Sequence, residues 1–420
     1  MSTVPSFLAR AEANRVFMPM ARLELIALLL ASSVHAETIT VCREGCDHAS
    51  VNAAIESASD GDIIQLAAEA FAEGMVIDTL GKAVVLRGAT DRKGLPVTIL
   101  DGSYEHGVLL CISGEGPGTR FENLVVRNGS AVTGGGLASV ASSPTIVNCR
   151  FEANFASSLG GAMWNYFSVP RLVDCVFVGN GSAESAGAVY NGTSAPDIIR
   201  CVFRENSATD LGGAIGNFTD STPRFEDCVF MDNVALEGGG MFNYQSDPEL
   251  IDCAFIGNSF YGNLGESFGG GMVNEAASPV LENCAFTANY GGEFGGAMAN
   301  ISGSAPILEA CTFSNNQTAG LGPSIYNASS VPTLLDCVFE ECCQIEPPRS
   351  FFDGGGNDLA TWCDGCRANI DCRGDAVDAG DLGMLLAAWN SSDQQCDLNG
   401  DGLVDGQDLG QLFVEWGPCR

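Results

Sequence analysis

One pattern recurs eight times along this chain, between residues 144 and 339. Each unit has a proline, an apolar residue two positions later, a cysteine three positions after that, and a phenylalanine two positions after the cysteine. Successive cysteines are 25 to 31 residues apart, at Cys149, Cys175, Cys201, Cys228, Cys253, Cys284, Cys311 and Cys337. Seven units add an asparagine three positions after the phenylalanine, at Asn154, Asn180, Asn206, Asn233, Asn258, Asn289 and Asn316. A period of this length is typical of solenoids, in which each repeat packs only on its neighbours.

The residue types within the unit indicate the kind of solenoid. Side chains two positions apart share one face of a strand, so each cysteine lies beside its phenylalanine. The apolar residue three before the cysteine has the wrong parity for that face, so the polar residue between them must lie at a bend. A second motif, Gly-Gly-Ala-Met-x-Asn, supplies a third inward column, at Met163, Val189, Ile215, Met241, Met272, Met298 and Ile325. Three apolar columns joined by bends describe a coil of roughly triangular section.

These columns predict an all-β fold, a right-handed parallel β-helix solenoid, over residues 37–345. Stacked coils lie ~4.8 Å apart, so identical side chains form ladders of Phe, Cys and Asn. Helical repeats are excluded because no stretch keeps a 3.6-residue period. The amphipathic stretch Val51–Ile55 is expected to cover the open end of the stack. The first coils are predicted to have strands at Ile63–Leu66, Ala83–Leu86, Val97–Leu100 and Phe121–Val126.

Charge limits the partners that we expect. Acidic residues outnumber basic ones 52 to 19, which gives a net charge of −33. Such a surface repels phosphate backbones and anionic lipid headgroups, so nucleic acid is not an expected partner. It suits divalent cations, neutral glycans or basic partners. The alternative is that the charge only keeps an extracellular protein soluble.

Residues 1–36 are predicted to be a signal peptide. Arg22 precedes the apolar run Leu23–Ala31, and Val34-His35-Ala36 supplies small residues at the usual cleavage positions. The alternative is a membrane anchor, but the run is about half of the ~20 residues that a span needs. We therefore expect a mature chain that begins near Glu37 and is extracellular or on the cell surface. No transmembrane segment is expected after signal removal, and disulfides are permitted.

All but one of the 18 cysteines divide into three groups. The repeat cysteines are either disulfides or buried thiols, and stacked Cβ atoms ~4.8 Å apart exceed the usual disulfide spacing, which favours thiols. Cys42 and Cys46 frame a short loop and are placed to pair. The C-terminal group comprises Cys342, Cys343, Cys363, Cys366, Cys372, Cys396 and Cys419. Cys363-x-x-Cys366 is either half of a zinc site or part of a disulfide framework, which we favour for an exported chain.

The strongest chemical motif in the sequence is a loop of oxygen-bearing side chains near the C-terminus. Gly402 falls at its sixth position, where a sharp turn is needed, and Leu403 at the seventh would offer a backbone carbonyl. This spacing wraps six or seven oxygens round a hard cation, so the sequence predicts a Ca²⁺ site rather than a solvated acidic turn. The predicted ligands are Asp397, Asn399, Asp401, Leu403, Asp405 and Asp408.

A related unit precedes this loop. Residues 381–389 match residues 408–416 at a spacing of 27, and each block ends in a tryptophan. Its loop is one residue short and has Arg373 where Asn is expected, so it is a weaker second site, with Asp371, Asp375, Asp378 and Asp381 as predicted ligands. Together these units predict a small α-helical calcium-binding module over residues 369–420. Residues 346–368, rich in Gly, Pro and Asp, are predicted to be a linker.

Aromatic residues alternate with the inward Met/Ile column of the Gly-Gly motif. Their positions place them on the outward face of consecutive coils, where they would form a strip about 15–20 Å long. The strip comprises Trp164, Tyr166, Tyr190, Phe218, Phe242 and Tyr244. Sugar rings stack on such strips, so we expect this face to bind a glycan. The alternative is aromatic packing between coils that only stabilises the sheet.

Three separate motifs of this sequence each resemble a known protein family. The opening Ser50–Ile55, followed by Gly61–Ile64, resembles the start of pectin-lyase-like β-helix proteins. The Gly-Gly-Ala-Met-x-Asn units resemble the repeats of polymorphic outer-membrane proteins, and residues 369–420 resemble a type I dockerin. The first resemblance implies polysaccharide lyase or glycoside hydrolase activity, and the last implies docking onto a cohesin-like protein.

No catalytic constellation is evident in the repeats. Lyases and hydrolases need clustered carboxylates with a cation and a base, or paired carboxylates flanking a glycosidic bond. The sequence therefore favours a secreted or surface-displayed β-helix that binds a polysaccharide, a cell-surface glycan or a protein. Its C-terminal module would dock in a calcium-dependent way. The alternative is a polysaccharide lyase or glycoside hydrolase, and no catalytic residue is assigned.

Overall fold

The structure is a computed structural model that describes residues 36–260, 262, 267–340, 344–347, 350–359, 368–370, 376–393 and 396–418. The described chain winds through three long parallel sheets, visiting each once per coil. Sheet A has 13 described strands, sheet B has 12 and sheet C has 11, and a fourth sheet D of six short strands widens the middle coils. The predicted parallel β-helix of roughly triangular section is confirmed.

The strands of each sheet follow in chain order. Sheet A comprises Thr38–Val41, Ile63–Leu66, Val85–Arg87, Arg120–Glu122, Thr145–Val147, Arg171–Val173, Asp197–Ile199, Arg224–Glu226, Glu249–Ile251, Val280–Glu282, Ile307–Glu309, Thr333–Leu335 and Phe352–Asp353. Sheet B comprises Ala70–Phe71, Thr98–Asp101, Leu124–Arg127, Arg150–Glu152, Val176–Val178, Val202–Arg204, Val229–Met231, Ala254–Ile256, Ala285–Thr287, Thr312–Ser314, Val338–Phe339 and Asp358–Leu359. Sheet C comprises Ile77–Asp78, Leu109–Cys111, Leu137–Val140, Met163–Tyr166, Val189–Gly192, Ile215–Phe218, Met241–Tyr244, Met272–Glu275, Met298–Ile301, Ile325–Asn327 and Ile345–Glu346. Sheet D comprises Ser130–Thr133, Phe155–Leu159, Gly181–Ser182, Ser207–Ala208, Val234–Ala235 and Ser259–Phe260.

The bend between sheets A and B lies where parity requires it. The residue before each repeat cysteine has a positive φ, between 48° and 55°. Asn and Asp tolerate this left-handed conformation better than most residues, which explains why they predominate there. The same bend divides the predicted strand Phe121–Val126, because Asn123 has a φ of 57° and separates Arg120–Glu122 from Leu124–Arg127.

The core is a set of ladders that run along the stack. Phe177 and Phe203 lie one above the other, with ring centroids 4.8 Å apart and planes within 10°. The same stacking continues from Phe151 to Phe339, with centroids 4.5–5.1 Å apart. Because each ring from Phe177 to Phe313 is buried between two others, the apolar area that stabilises a coil is supplied by its neighbours.

Asparagines satisfy the buried backbone at the bend after sheet B. The side-chain oxygen of Asn206 accepts from the backbone N and the Nδ2 of Asn180, at 3.1 and 3.0 Å. Its Nδ2 donates to the carbonyl of Phe177 at 3.0 Å. This Asn ladder runs from Asn154 to Asn316 with the same contacts. A second ladder joins the inward asparagines of sheet C through Nδ2-to-Oδ1 bonds of 2.8–2.9 Å, from Asn165 to Asn327.

The repeat cysteines are buried thiols, as expected. Each Sγ donates to the carbonyl oxygen two residues earlier, at 3.3–3.4 Å, so the thiol is satisfied within its own bend. Cys111 ends the strand Leu109–Cys111 of sheet C and is also a buried free thiol. Cys42 and Cys46 form a disulfide.

Helix α1 (Val51–Ser57) packs against the first coils. Its residues Val51, Ala54 and Ile55 belong to the solenoid core. At the N-terminus, Glu73 accepts the backbone N–H of Val51 at 2.8 Å. At the C-terminus, the ammonium of Lys82 donates to the carbonyls of Ile55, Glu56 and Ala58 at 2.7–2.8 Å. Charges at both helix ends thus oppose the partial charges there.

Within the predicted linker, the structure instead adds another coil. Ile345–Glu346 pairs with Ile325–Asn327, Phe352–Asp353 with Thr333–Leu335, and Asp358–Leu359 with Val338–Phe339. The repeat motif ends at Phe339, so this coil carries little of the pattern that reveals the others. Gly and Pro in the stretch favour a linker by composition alone, and composition does not show strand pairing.

The C-terminal residues form two helices with a core of their own. Helices α2 (Ala379–Ala387) and α3 (Gly406–Val414) begin in the same way, each with a capping box of two aspartates. Ala376–Val377 pairs antiparallel with Gly417–Pro418. The separate hydrophobic cluster comprises Ala368, Ile370, Val377, Leu385, Ala388, Cys396, Leu398, Val404 and Leu412.

Candidate functional site

The predicted aromatic residues lie on the outward side of sheet C. Trp164 pairs in register with Tyr190, and the column continues through Gly216 to Phe242. Tyr166 begins a parallel column that passes Gly192 to reach Phe218 and Tyr244. We call this surface the aromatic face and define it by Trp164, Tyr166, Phe167, Tyr190, Phe218, Phe242 and Tyr244. All seven side chains lie outside the solenoid core.

Two glycines change how the rings are arranged. A side chain at Gly216 would overlap the ring of Phe218, whose Cε2 lies 2.7 Å from the ideal Cβ position. Phe218 therefore leans into the place that Gly216 leaves empty and stacks on Tyr190, with centroids 4.9 Å apart. Gly192 likewise leaves room for the rings of Tyr166 and Tyr190, which come within 3.1 Å of its ideal Cβ position. The aromatic face is thus a set of interlocked rings instead of two straight columns.

Exposure varies along the aromatic face. Tyr166 is 38% exposed and Phe167 is 56% exposed, and they meet edge to face at 4.5 Å. Trp164 stacks parallel to Tyr166 at 5.6 Å and is half-buried. Phe242, in contrast, is only 1% exposed. The Trp164–Phe167 end therefore offers the most accessible aromatic surface.

Phe242 is buried by a small cluster that sequence reasoning only touched. It packs with Val273 and Ala299, and Phe268 and Leu211 lie against them. Phe268 stacks on Phe294 at 5.1 Å, and Phe294 contacts Tyr326 at 4.5 Å. Phe268 therefore borders the aromatic face. Phe294 directly precedes a Gly-Gly pair, and Leu321 holds the equivalent position before Gly322 in the next coil. This shared position could have identified both residues from the sequence.

Two polar groups on the aromatic face are shielded from water. The Nε1 of Trp164 is buried and has no hydrogen-bond partner among the residues that the structure describes. Burial raises the pKa of Tyr190, and the neighbouring Tyr166 adds to the rise. Both observations place the inner edges of these rings in a region of low polarity. There, contact of the rings with the apolar C–H face of a ligand is favoured over contact with water.

A carboxyl group that the sequence did not single out lies next to this surface. Glu237 directly precedes the Gly-Gly-Gly segment of its coil and aligns with Leu211. Burial, together with the charges of Glu275 and Asp210, raises its pKa to about 7. Its position in the column before the Gly-Gly motif is the signal that would have identified it.

The arginines of the repeats lie away from sheet C. The repeat arginines Arg150, Arg171, Arg200, Arg204 and Arg224 each form an ion pair, to Glu152, Asp197, Asp174, Glu205 and Glu226 respectively. They lie on sheets A and B or at the bend between them. No described strand of sheet C contains Lys, Arg or His.

The C-terminal oxygen loop has its predicted turn. Gly402 has a φ of 89°, a conformation that suits the sixth position. Asp397 accepts the N–H groups of Gly400, Asp401 and Gly402 at 2.6–3.1 Å. The buried Asp408 accepts from the N–H groups of Asn399 and Asp405 at 3.1 and 2.7 Å. Backbone bonds therefore hold the loop's first and last carboxylates in place.

The remaining predicted ligands are only partly described. Asp371 and Asp375 of the second loop lie outside the described residues, whereas Asp378 and Asp381 form the capping box of α2. Across the described ranges, no three His, Cys, Asp or Glu side chains are grouped so that they could hold a metal ion. Asn399 and the Leu403 carbonyl are oxygen donors of other kinds, and the calcium site stays a prediction.

Several other predictions fall on residues that are not described. Residues 1–35 of the predicted signal peptide (residues 1–36) lie outside the described ranges, as do Cys342, Cys343, Cys363, Cys366, Cys372 and Cys419. Cys396 is buried in the C-terminal core. Within the described chain, no helix combines the length and apolar character needed to cross a membrane.

Three solved structures are distantly similar. A rhamnogalacturonan lyase is 10% identical with a TM-score of 0.37, covering 78% of this chain and 87% of that chain. A mannuronic acid specific polysaccharide family 6 lyase from human gut microbiota is 11% identical with a TM-score of 0.29, covering 75% and 85%. The Agl-KA catalytic domain is 12% identical with a TM-score of 0.27, covering 74% and 64%. None of the curated proteins matched the sequence.

The sequence itself matches one family model. Residues 187–368 match the model described as the right-handed β-helix region, a stretch that begins in the repeats and passes through the additional coil that ends at Leu359. The register of sheets A, B and C is continuous before and after residue 187. This chain is therefore built on a right-handed β-helix region.

Proposed function

We propose that this protein is a glycan-binding β-helix whose aromatic face holds the sugar. The observation that carries the proposal is the accessible group formed by Trp164, Tyr166 and Phe167. Aromatic rings with exposed surface in a partly dehydrated setting suit the apolar faces of pyranose rings. Stacked coils repeat the surface at a fixed spacing, which suits a polymer better than a single sugar.

Substitution at the accessible end tests this proposal. Trp164→Ala combined with Tyr166→Ala removes two stacked rings, and we expect retention in polysaccharide affinity gels to fall at least about tenfold. Phe155→Ala is a matched control, because Phe155 is an exposed aromatic residue on sheet D. Circular dichroism and thermal unfolding would verify that both variants fold. Unchanged retention of the double variant would refute the proposal.

Binding is proposed in preference to cleavage. β-Elimination needs a basic group that can take a proton beside a neutralised carboxylate. Every repeat arginine that the structure describes is paired with an acid. We therefore expect no unsaturated product and no new reducing ends when the protein is incubated with a polysaccharide panel. New reducing ends that are lost in Glu237→Gln would establish a glycoside hydrolase, and unsaturated product would establish a polysaccharide lyase.

We further propose that the loop from Asp397 to Asp408 binds Ca²⁺ and that the C-terminal module docks onto a cohesin-like protein. Support comes from the spacing of the oxygen donors, the left-handed turn at Gly402 and the duplicated helix starts at Asp378 and Asp405. Calcium would be held by side-chain oxygens and the Leu403 carbonyl.

Calorimetric titration of the full chain tests the calcium proposal. Asp401→Ala removes a predicted ligand at the exposed fifth position, and we expect Ca²⁺ affinity to fall by about tenfold or more. Asp358→Asn removes an exposed carboxylate from the solenoid and serves as the control. Equal calcium affinity in wild type and Asp401→Ala would contradict the site. Loss of binding to a cohesin panel after chelation would support calcium-dependent docking.

A further inference from the structure

The charge around the aromatic face discriminates between classes of glycan. Residues 225–348 contain no Lys, Arg or His, so several consecutive coils carry no positive side chain at all. In the coils from Arg150 to Arg224, the basic residues lie on sheets A and B or at the bend between them, and each is paired with an acid. In the coils that carry it, the aromatic face is therefore without cationic groups on its own strands.

The charges that border the aromatic face are acidic. Glu275 is directly in register with Tyr244 on the next coil. Glu237 lies in the preceding turn, and its backbone N–H donates to the carbonyl of Asp210 at 2.9 Å. Hydrogen-bond partners are evident for neither the Glu237 nor the Glu275 carboxylate among the described residues, so their charge is not balanced locally.

The acidic groups also influence one another. Burial raises the pKa of Glu237 to about 7, and Glu275 and Asp210 contribute to the increase. A neutral carboxyl at this position can donate a hydrogen bond to a sugar hydroxyl. A ligand carboxylate brought to the same place would add a further like charge, which disfavours binding.

Building on the proposed glycan-binding function, we infer that the aromatic face takes a neutral polysaccharide and rejects uronate polymers. Stacking on the rings of Trp164 and Tyr166 supplies an attraction that does not depend on ligand charge. The unpaired carboxylates of Glu237 and Glu275 supply a repulsion that only a charged polymer meets. Specificity for neutral polysaccharides then results from this repulsion of anionic polysaccharides.

Paired polymers test this inference. Each uronate polymer would be compared with its own carboxyl-reduced form, so that the backbone is the same and only the charge differs. Affinity electrophoresis and calorimetry would be run with and without EDTA, at low and high salt. We expect the neutral form to bind at least about tenfold more tightly at low salt, with a smaller ratio at high salt because salt screens the repulsion.

Variants locate the source of the discrimination. Glu237→Gln combined with Glu275→Gln should raise the affinity for uronate polymers severalfold, because the repulsion is removed while a glutamine amide can still donate a hydrogen bond to a neutral sugar. Glu309→Gln is the matched control, because Glu309 is an exposed acid on sheet A of the same region. An unchanged ratio between the two polymer classes in the double variant would overturn the role of these carboxylates.

The outcomes separate the two proposals. Equal or tighter binding of the uronate polymers overturns the neutral specificity alone, provided that Trp164→Ala still abolishes binding. Retention of no polymer in the panel overturns the proposed function and the specificity with it. Neutral binding that depends on Trp164 and exceeds uronate binding supports both.

Discussion

At the scale of single residues, Glu237 beside the aromatic face makes the stability of the protein depend on pH. Its ordinary pKa is 4.5, and the folded protein raises this to about 7. The folded state therefore binds a proton more tightly than the unfolded state does. Linkage then requires that stability falls as pH rises from about 4.5 to about 7, and stays at the lower level above that range.

Glu237→Gln should remove this pH dependence. Glutamine resembles the protonated carboxyl, so the variant is expected to match wild type below pH 4.5 and to be more stable above pH 7, by up to about 3 kcal/mol. Urea unfolding at a series of pH values measures the difference. The control Glu309→Gln should follow the wild-type curve, and a variant curve parallel to wild type would contradict the expected titration.

Residue-level reasoning from sequence succeeded where parity decides the outcome. The Asn and Asp bends, the Phe stack and the buried thiols all follow from counting positions along a strand. The arrangement of the aromatic face did not follow, because Phe218 leans into the space left by Gly216 on its own strand. A glycine shows in the sequence that a side chain is missing, but it does not show which neighbouring ring fills the space.

At the scale of elements, the Asn ladder supplies the polar contacts that apolar columns cannot. Asn206 accepts two hydrogen bonds from Asn180 and donates one each to Phe177 and Asn233. All four are buried, so the groups left behind by its removal have no access to water. Such groups keep their full desolvation penalty.

Asn206→Ala should therefore destabilise the solenoid by about 3–5 kcal/mol, measured by chemical unfolding. Glu309→Ala, an exposed substitution on sheet A, should change stability by less than about 0.5 kcal/mol. A loss below 1 kcal/mol for Asn206→Ala would mean that the coils rearrange to satisfy the freed backbone groups.

The capping helix depends on Lys82. Lys82→Met removes three charged hydrogen bonds to the C-terminal carbonyls of α1 and should reduce the stability of that end by about 2 kcal/mol. We expect faster hydrogen exchange in α1 and in Thr38–Val41, with the central coils unaffected. Lys93→Met, at an exposed loop, is the control. Equal protection in both variants would show that apolar packing alone holds the helix.

The element boundaries show where sequence reasoning reaches its limit. The repeats gave the strands from residue 144 onward, because every coil there carries the same columns. The coil at residues 345–359 lost the cysteine and phenylalanine positions, and only strand pairing reveals it. In the C-terminal module, the spacing of 27 revealed two related units, and the two aspartate capping boxes give this repetition a structural cause.

At the scale of the whole molecule, the thiols report on the integrity of the stack. Burial raises the pKa of Cys149 and Cys201, and thiolates are the reactive form. We expect the nine coil cysteines, Cys111 to Cys337, to resist a thiol-specific reagent in the native protein and to react in denaturant. Mass spectrometry of labelled peptides measures this. Stoichiometric native labelling at Cys201 would contradict the close packing.

The coils are also mechanical links in series. A pull on the two ends would load the few parallel hydrogen bonds of one coil at a time, since each coil is fastened only to the next. Releasing one coil of 26 residues would lengthen the tether by about 90 Å before the next coil takes the load. If such a protein were tethered at both ends, it would lengthen in steps under shear as single coils unfold. The coils that remain folded would keep their binding surface.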